Sequence, residues 1–218
     1  MRRSRYLPIP CLALVTDRTL CEDIPLMDKV AQAVAGGVNM VQFREKDLPA
    51  GELLLLARRL RQVIGGRALL MLNDRLDVAL AAGADGVHLP ERGLPVAEVR
   101  RLSGRDLLIG RSVHSPAEAL RAQEDGCDYV QVGTIYPSHS HPEAPPAGPW
   151  LVEEVARQMR IPVLAIGGVN EDNVAEVMRA GAAGAAVISA ILASPSPQLA
   201  AEALWRAIQA AWTQRQHS

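Results

Sequence analysis

Two stretches decide the fold of this chain: Ala165-Ile166-Gly167-Gly168-Val169-Asn170 and, one βα unit later, Val187-Ile188-Ser189-Ala190. Each is an apolar run that breaks into small residues just where a helical pattern begins. In a (β/α)8 barrel, the loops after strands 7 and 8 and a nearby helix N-terminus form a site that suits phosphate. Glycine lets backbone N–H groups approach an anion closely. We therefore interpret the two stretches as the last two strand ends of a barrel.

Composition narrows the class of protein. The chain has 218 residues, 49% of them hydrophobic, and a net charge of −1. This charge argues against nucleic acid or an anionic membrane as a partner. No apolar run reaches the length of a membrane span, and the amino terminus lacks the apolar region of a signal peptide, so we expect a cytoplasmic protein. Cys11, Cys21 and Cys127 are too few and too irregularly spaced for a disulfide framework or a zinc site.

A weak internal repeat runs through the chain. A helical pattern ends at glycine and passes into an apolar run in residues 35–41, 82–88, 124–130 and 180–187. Each copy is typical of a helix C-cap, a short turn and a buried strand. Further strand candidates are residues 12–15, 68–72, 107–110 and 162–166, and amphipathic helices are indicated at 52–63, 118–124, 173–179 and 199–212.

This alternation predicts the fold class α/β, as a single (β/α)8 TIM barrel. We expect residues 1–10 to be an N-terminal lead-in and residues 11–218 to form the barrel domain. Residues 138–149 are rich in proline and lie between strand 6 and helix 6. They are predicted to be a long loop on the catalytic face, which is mobile without ligand.

The end of strand 2 carries a polar segment, residues 42–47. Alternation points Gln42, Arg44 and Lys46 the same way, toward the barrel mouth, where they suit an anionic or phosphorylated ligand. The alternative is a solvated rim in which Arg44 pairs with Glu45 or Asp47. The sequence alone weighs these two interpretations equally.

Asp74 follows strand 3 and has two possible roles. Aspartate at such a junction commonly caps the next helix. It also suits Mg²⁺, which needs few protein ligands when substrate phosphates supply the rest. The spacing alone favours capping.

Two histidines follow the middle strands. His88 lies inside strand 4 and is predicted to be a hydrogen-bonded core histidine. After strand 5, Ser112 and His114 share a face, and Ser112 or Ser115 is expected to cap the next helix. His114 is a candidate general acid or base, because imidazole titrates near neutral pH, or else a rim histidine paired with a hydroxyl.

The loop after strand 6 carries Ser138, His139, Ser140 and His141. Hydroxyls and imidazoles on such a loop suit contact with a phosphorylated ligand and closure over it. A His-x-His metal site has no third ligand nearby, which disfavours it. Incidental polar residues on a surface loop are the remaining alternative.

Together these segments resemble the thiamine phosphate synthase superfamily, including its TenI-type thiazole tautomerase branch. The resemblance runs from Leu12 to about Ile191. It depends on six segments in this order and spacing, residues 41–47, 72–80, 83–89, 109–115, 165–169 and 187–191.

The resemblance implies roles for particular residues. Gln42, Arg44, Lys46 and Asn73 correspond to the residues that hold the pyrimidine diphosphate in synthases. Asp74 corresponds to one of two Mg²⁺ ligands, and Ser112 to a substrate contact. Ser138 and Ser140 match the family's Thr-x-Thr loop. The binding site for the thiazole phosphate corresponds to Gly167, Gly168, Ile188 and Ser189.

The chain departs from the synthase pattern at two positions. Gly93 stands where the resemblance places the second Mg²⁺-binding aspartate, and His141 replaces a lysine. The departure of pyrophosphate needs concentrated positive charge, so these losses remove on the order of a few kcal/mol of transition-state stabilisation. The tautomerase pattern is also incomplete, because Thr134 stands at the position of its catalytic histidine. His114, His139 and His141 remain as the candidates for proton transfer.

Three hypotheses follow, in order of preference. The first is a TenI-type tautomerase that aromatises a carboxythiazole phosphate by a proton shift and needs no cofactor. The second is a divergent thiamine phosphate synthase that joins pyrimidine diphosphate to thiazole phosphate with Mg²⁺. The third is a non-catalytic thiazole phosphate-binding or regulatory protein. A homodimer is the default expectation for such a barrel.

Overall fold

Eight parallel strands form a closed barrel in the computed structural model, which describes residues 6–138 and 145–217. In chain order the strands are β1 (Cys11–Val15), β2 (Met40–Phe43), β3 (Leu69–Asn73), β4 (Gly86–Leu89), β5 (Leu108–Val113), β6 (Tyr129–Val132), β7 (Val163–Ile166) and β8 (Gly184–Val187). Each strand pairs with the next in the chain, and β8 pairs with β1. The predicted (β/α)8 TIM barrel is therefore confirmed.

Helices surround the strands. They are α1 (Leu26–Ala35), α2 (Ala50–Ile64), α3 (Leu76–Ala82), α4 (Val96–Ser103), α5 (Pro116–Glu124), α6 (Pro149–Gln158), α7 (Val174–Arg179), α8 (Ser189–Leu192) and α9 (Pro197–Gln216), with a short 3-10 helix at Arg18–Leu20. The four-residue helix α8 begins within the stretch 187–190, where the sequence predicts the start of a helical pattern. The last predicted helix is α9, which packs against α1 and α7 and so completes the helical layer. No helix in the described part of the chain is long and apolar enough to cross a membrane.

The core has two layers, because successive side chains of a strand point in opposite directions. In β1, Leu12 and Leu14 pack in the layer between strands and helices, whereas Ala13 and Val15 belong to the cluster inside the barrel. Leu7 joins this interior cluster from the predicted lead-in. The division of the chain at residue 10 stays a prediction, but the lead-in contributes at least one side chain to the barrel core.

Strand β5 extends beyond its predicted end. The apolar pattern covers residues 107–110, whereas the strand is Leu108–Val113 and so includes Arg111 and Ser112. Polar side chains are normal at this end of a barrel strand, because the strand passes from the core to the mouth of the barrel. Apolar periodicity therefore predicts the buried part of a strand and misses its functional end.

The strand β8 can close on β1 because of Gly184. A side-chain Cβ at this position would lie 2.1 Å from the carbonyl oxygen of Cys11, which is its partner in the strand register. Such a contact would force the backbones apart. Glycine therefore permits the close approach that completes the barrel.

Lys29 ties three segments together on the outside of the barrel. It lies on α1, is 4% exposed, and its Nζ donates to the carbonyl oxygens of Leu20 (2.9 Å) and Leu192 (2.6 Å). Leu20 is the last residue of the 3-10 helix that follows β1, and Leu192 is the last residue of α8. One side chain therefore holds α8, at the mouth of the barrel, against α1.

We expect Lys29→Met to lower the free energy of unfolding by about 1–3 kcal/mol, because two carbonyl groups lose their donor inside the protein. Urea unfolding followed by circular dichroism measures this change. Arg59→Met on the exposed face of α2 is the matched control and should change stability by less than about 0.5 kcal/mol. Equal effects of the two substitutions would show that Lys29 is not a structural tie.

Candidate functional site

A cavity of about 1100 Å³ opens at the carboxyl ends of the strands, which is the face where barrel enzymes have their active sites. Every predicted site residue that the structure describes lines it: Gln42, Arg44, Lys46, Asn73, Asp74, Ser112, His114, Ser138, Gly167, Gly168, Ile188 and Ser189. The other predicted residues, His139, Ser140 and His141, lie outside the described residues. The structure thus brings these side chains together, and their individual roles stay predictions.

The acidic residues after β2 are paired with Arg18, although Glu45 also borders the cavity. Glu45 accepts a hydrogen bond from Thr16 Oγ1 (2.7 Å) and pairs with Arg18 (3.2 Å). Asp47 accepts from both terminal nitrogens of Arg18, at 2.6 Å for Nη1. The backbone N–H of Arg44 donates to Thr16 Oγ1 (2.9 Å). The acids of this segment therefore pair with Arg18 rather than with Arg44, which contradicts the alternative of a self-paired rim.

The result is a cavity wall with two cations. Burial, together with the nearby charge of Arg44, lowers the pKa of Lys46, while Asp74 acts in the opposite direction. Hydrogen bonds from Arg18 lower the pKa of Asp47 to about 2, so this carboxylate stays ionised and paired. An anion bound between Arg44 and Lys46 would relieve their mutual repulsion, which favours an anionic ligand at this wall.

Asp74 does not cap helix α3. The N-cap position is Arg75, and no side chain makes a capping hydrogen bond there. Asp74 instead has a left-handed backbone (φ 63°), a region that aspartate adopts more readily than most residues, and its N–H donates to the His88 carbonyl (2.8 Å). The expectation that spacing favoured, a helix cap, is therefore wrong, because this backbone places the carboxylate on the cavity wall.

The loop after β4 faces this carboxylate. A Cβ at Gly93 would lie 2.7 Å from Asp74 Oδ1. Arg111 holds the loop in place by donating to the carbonyl oxygens of Glu91 (2.6 Å) and Leu94 (3.0 Å). The position where the resemblance places a second metal-binding aspartate is thus adjacent to Asp74, but it carries no carboxylate in this chain.

The ends of β7 and β8 lie next to each other at the predicted phosphate site. Gly168 has a φ of 65°, and a Cβ there would be 2.4 Å from the Pro137 carbonyl oxygen, so the loop after β6 can pack against it only when the residue is glycine. Helix α8 begins at Ser189, directly after the N-cap residue Ile188. The first N–H groups of a helix lack partners within it and are available to an anion. The geometry suits a phosphate group here.

His114 presents one ring nitrogen to the cavity. Its Nδ1 is hydrogen-bonded to the carbonyl oxygen of Gly133, and because a carbonyl only accepts, this nitrogen carries the proton. Nε2 is then unprotonated in the neutral ring and lies 3.8 Å from Glu91 Oε2. The backbone N–H of His114 donates to the side chain of Glu118 (2.7 Å). Of the two predicted helix caps, Ser115 and not Ser112 caps α5. The His114 ring is therefore held in one orientation at the cavity wall.

Gln131 is a cavity residue that the sequence analysis missed. It is 1% exposed and donates through Nε2 to Gln42 Oε1 (2.9 Å), and Gln42 Nε2 donates to Asn73 Oδ1 (3.2 Å). The chain of three amides joins β6 to β2 and β3 across the barrel. The available signal was a glutamine between Val130 and Val132, which is an unusual polar residue within an apolar strand.

The predicted core histidine, His88, is confirmed. It is 1% exposed, with Nδ1 at 3.2 Å from Tyr129 Oη and Nε2 at 2.8 Å from Ser112 Oγ. Burial, reinforced by the charges of Arg111 and Arg44, lowers the pKa of His88 to about 3. The ring is therefore neutral near neutral pH and links the interior of the barrel to a cavity side chain.

Comparisons with known proteins agree with this geometry. The family model described as thiamine monophosphate synthase matches residues 12–191. A putative thiamine-phosphate synthase of Geobacter sulfurreducens is 47% identical over 197 residues, which cover 88% of this chain and 92% of that protein. A thiamine-phosphate synthase of Anaeromyxobacter dehalogenans is 49% identical over 187 residues, 84% of each protein. The solved thiamine phosphate pyrophosphorylase from Pyrococcus furiosus has a TM-score of 0.85 and 36% identity, and the match covers 92% of this chain and 96% of that one.

We expect Arg18→Gln to weaken the binding of inorganic pyrophosphate by about three- to tenfold, or roughly 1 kcal/mol, because Glu45 and Asp47 lose the partner that holds them away from Arg44 and Lys46. Isothermal titration calorimetry measures the affinity. Asp47→Asn is the matched control and should leave the affinity equal or increase it. A loss of affinity in both variants would contradict the proposal that Arg18 holds the two carboxylates away from the two cations.

We expect His88 to make the fold sensitive to acid. Its pKa is lower in the folded protein than in the unfolded chain, so between about pH 6.5 and pH 3 the unfolded chain binds more protons and stability falls as the pH falls. The contribution of one such group approaches roughly 1.4 kcal/mol per pH unit. Urea unfolding from pH 7 to pH 5 should therefore show a shallower pH dependence for His88→Gln than for the wild type. Parallel curves would rule out this role of His88.

Proposed function

Because the chain belongs to the thiamine monophosphate synthase family, we propose that it is a thiamine-phosphate synthase, a transferase that joins a pyrimidine diphosphate to a thiazole phosphate. One observation carries this proposal: a single cavity contains a wall with two cations, after β2, and a glycine-rich wall at a helix N-terminus, after β7 and β8. A reaction between two phosphorylated substrates needs two anion-binding regions in one cavity. The sequence alone favours the tautomerase, whereas the names of the relatives support the synthase alternative.

The proposed reaction exchanges one bond for another. The C–O bond between the pyrimidine methylene group and the diphosphate breaks, and pyrophosphate leaves with the electron pair. The lone pair of the thiazole nitrogen then forms the new C–N bond. Arg44 and Lys46 line the cavity and would take up the charge that develops on the departing oxygens. This electrostatic stabilisation is worth most in a site that excludes water.

The residues present fit Mg²⁺ through one carboxylate. Mg²⁺ is commonly held by one or two carboxylates together with substrate phosphates and water. Asp74 supplies a carboxylate at the cavity wall, and Gly93 supplies none. The described residues contain no cluster of three His, Cys, Asp or Glu side chains that could hold a metal by itself. When bound with the diphosphate at Asp74, Mg²⁺ would neutralise part of the charge of the leaving group.

Thiazole tautomerisation is a second candidate function, because the cavity also contains His114, whose ring is held by the Gly133 carbonyl oxygen through Nδ1. A proton shift needs one phosphate-binding region and one general acid or base, and it needs no metal. The loss of a carboxylate at Gly93 is compatible with this reaction. The two candidates differ in their dependence on Asp74 and His114, which makes them separable.

We expect the purified protein to form thiamine phosphate from the two substrates with Mg²⁺ and to lose this activity in a chelator. Asp74→Asn should lower kcat at least about 100-fold, the cost of removing one oriented electrostatic group. Asparagine tolerates the left-handed backbone of this position, so the variant tests the carboxylate and not the fold. Thin-layer or fluorescence assays of thiamine phosphate measure the rates.

His114→Gln is the matched control and should change synthase kcat by less than about threefold, because this reaction needs no proton acceptor at that position. The tautomerase assay with the carboxythiazole phosphate runs beside it. Aromatisation that needs His114 but not Asp74, without any synthase activity, would overturn the proposed function. Binding of thiazole phosphate without either reaction would leave a non-catalytic binding protein.

A further inference from the structure

Tyr129 is a buried tyrosine whose hydroxyl is hydrogen-bonded to His88. It is 0% exposed and packs in the interior cluster with Ala13, Met71 and Leu164. Its Oη lies 3.2 Å from His88 Nδ1, which is its hydrogen-bond partner in the described part of the chain. Burial raises the pKa of Tyr129 well above its usual value, so the hydroxyl keeps its hydrogen.

The hydrogen of Tyr129 fixes the tautomer of His88. A neutral imidazole has one donor and one acceptor nitrogen. If Tyr129 donates to Nδ1, the ring proton must be on Nε2, and Nε2–H then donates to Ser112 Oγ, 2.8 Å away. The reverse order would leave the Tyr129 hydrogen without an acceptor among the residues that the structure describes, which folding disfavours.

The direction of these bonds determines what Ser112 offers to a ligand. Ser112 lines the cavity and pairs in the strand register with Gln131, so it lies beside the chain of amides. Because its oxygen accepts from His88, its own hydrogen is not used by the histidine. The hydroxyl therefore faces the cavity as a donor.

We propose that Tyr129 is a positioning residue that acts through His88 to present Ser112 as a hydrogen-bond donor to an acceptor atom of the bound substrate. Such an acceptor is a ring nitrogen or a phosphate oxygen. This proposal rests on the proposed function only for the identity of the substrate. The direction of the hydrogen bonds depends on the barrel interior alone.

Nitrogen-15 NMR of protein labelled at its five histidines tests the direction without any ligand. The expected wild-type spectrum has the His88 proton on Nε2, with the signals assigned by their loss in His88→Gln. Tyr129→Phe removes the donor and should shift the His88 signals toward the other tautomer. Tyr136→Phe is the matched control, because Tyr136 is bonded to Glu176 and not to His88, and should leave the His88 signals unchanged. A wild-type proton on Nδ1 would overturn the proposal.

Steady-state kinetics test the consequence for Ser112. Ser112→Ala should lower kcat about tenfold or more, and Tyr129→Phe should approach this value, with KM changed less than kcat. The double variant should be no worse than Ser112→Ala, because the two residues act in one chain. Multiplicative effects in the double variant, or wild-type kcat in Tyr129→Phe, would contradict the proposal.

The two proposals fail in different ways. If the wild-type protein has no synthase activity, the proposed function fails, and calorimetry with thiazole phosphate replaces kcat: Tyr129→Phe should then lose affinity as Ser112→Ala does. Equal affinity of Tyr129→Phe and the wild type for thiazole phosphate would contradict the positioning role of Tyr129. If Tyr129→Phe does not fold, the wild-type nitrogen shifts still decide the tautomer.

Discussion

The pairing of β8 with β1 is the constraint on which the arrangement of the cavity depends. β1 pairs with β8 through Cys11–Gly184 and Leu14–Val187, and with β2 through Val15–Gln42. A single strand therefore separates the end of β8, where α8 begins, from the polar segment that follows β2. Because the strands are parallel, both ends open on the same face. Without this closure, the glycine-rich wall and the wall with the cations would belong to opposite edges of an open sheet.

The charged side chains of residues 44–47 are separated by the partners that they bind. Residues 44–47 read Arg-Glu-Lys-Asp and are neutral in sum. Arg44 and Lys46 line the cavity, and Arg18 binds the two acids, including Glu45, which also borders the cavity. A positively charged wall can therefore exist in a chain with a net charge of −1. Local geometry produces this separation, and the overall composition carries no trace of it.

The sequence predicts the barrel and the strands that carry the site, because buried strands and C-cap glycines leave a periodic pattern. It does not predict the position of a side chain that depends on a long-range contact or on an unusual backbone conformation. The pairing of Arg18 with Asp47 joins residues from different βα units. The left-handed backbone of Asp74 overrides a spacing that is typical of a helix cap. Gln131 is not predicted because its apolar neighbours indicate a core strand. The preference for the tautomerase depends on Gly93 and His141, and His141 lies outside the described residues.

Hydrogen bonds from Arg111 fix the backbone of the loop after β4 and so limit how the rim of the cavity can change. The arginine holds main-chain oxygens, at Glu91 and Leu94, so the shape of the loop does not depend on the side chains at its tip. A Cβ at position 93 would lie 2.7 Å from Asp74 Oδ1 and 2.9 Å from Pro90 Cδ, so a carboxylate can be gained beside Asp74 only if these neighbours shift. The side chains at the rim of the cavity can change in this way while the strands of the barrel keep their positions.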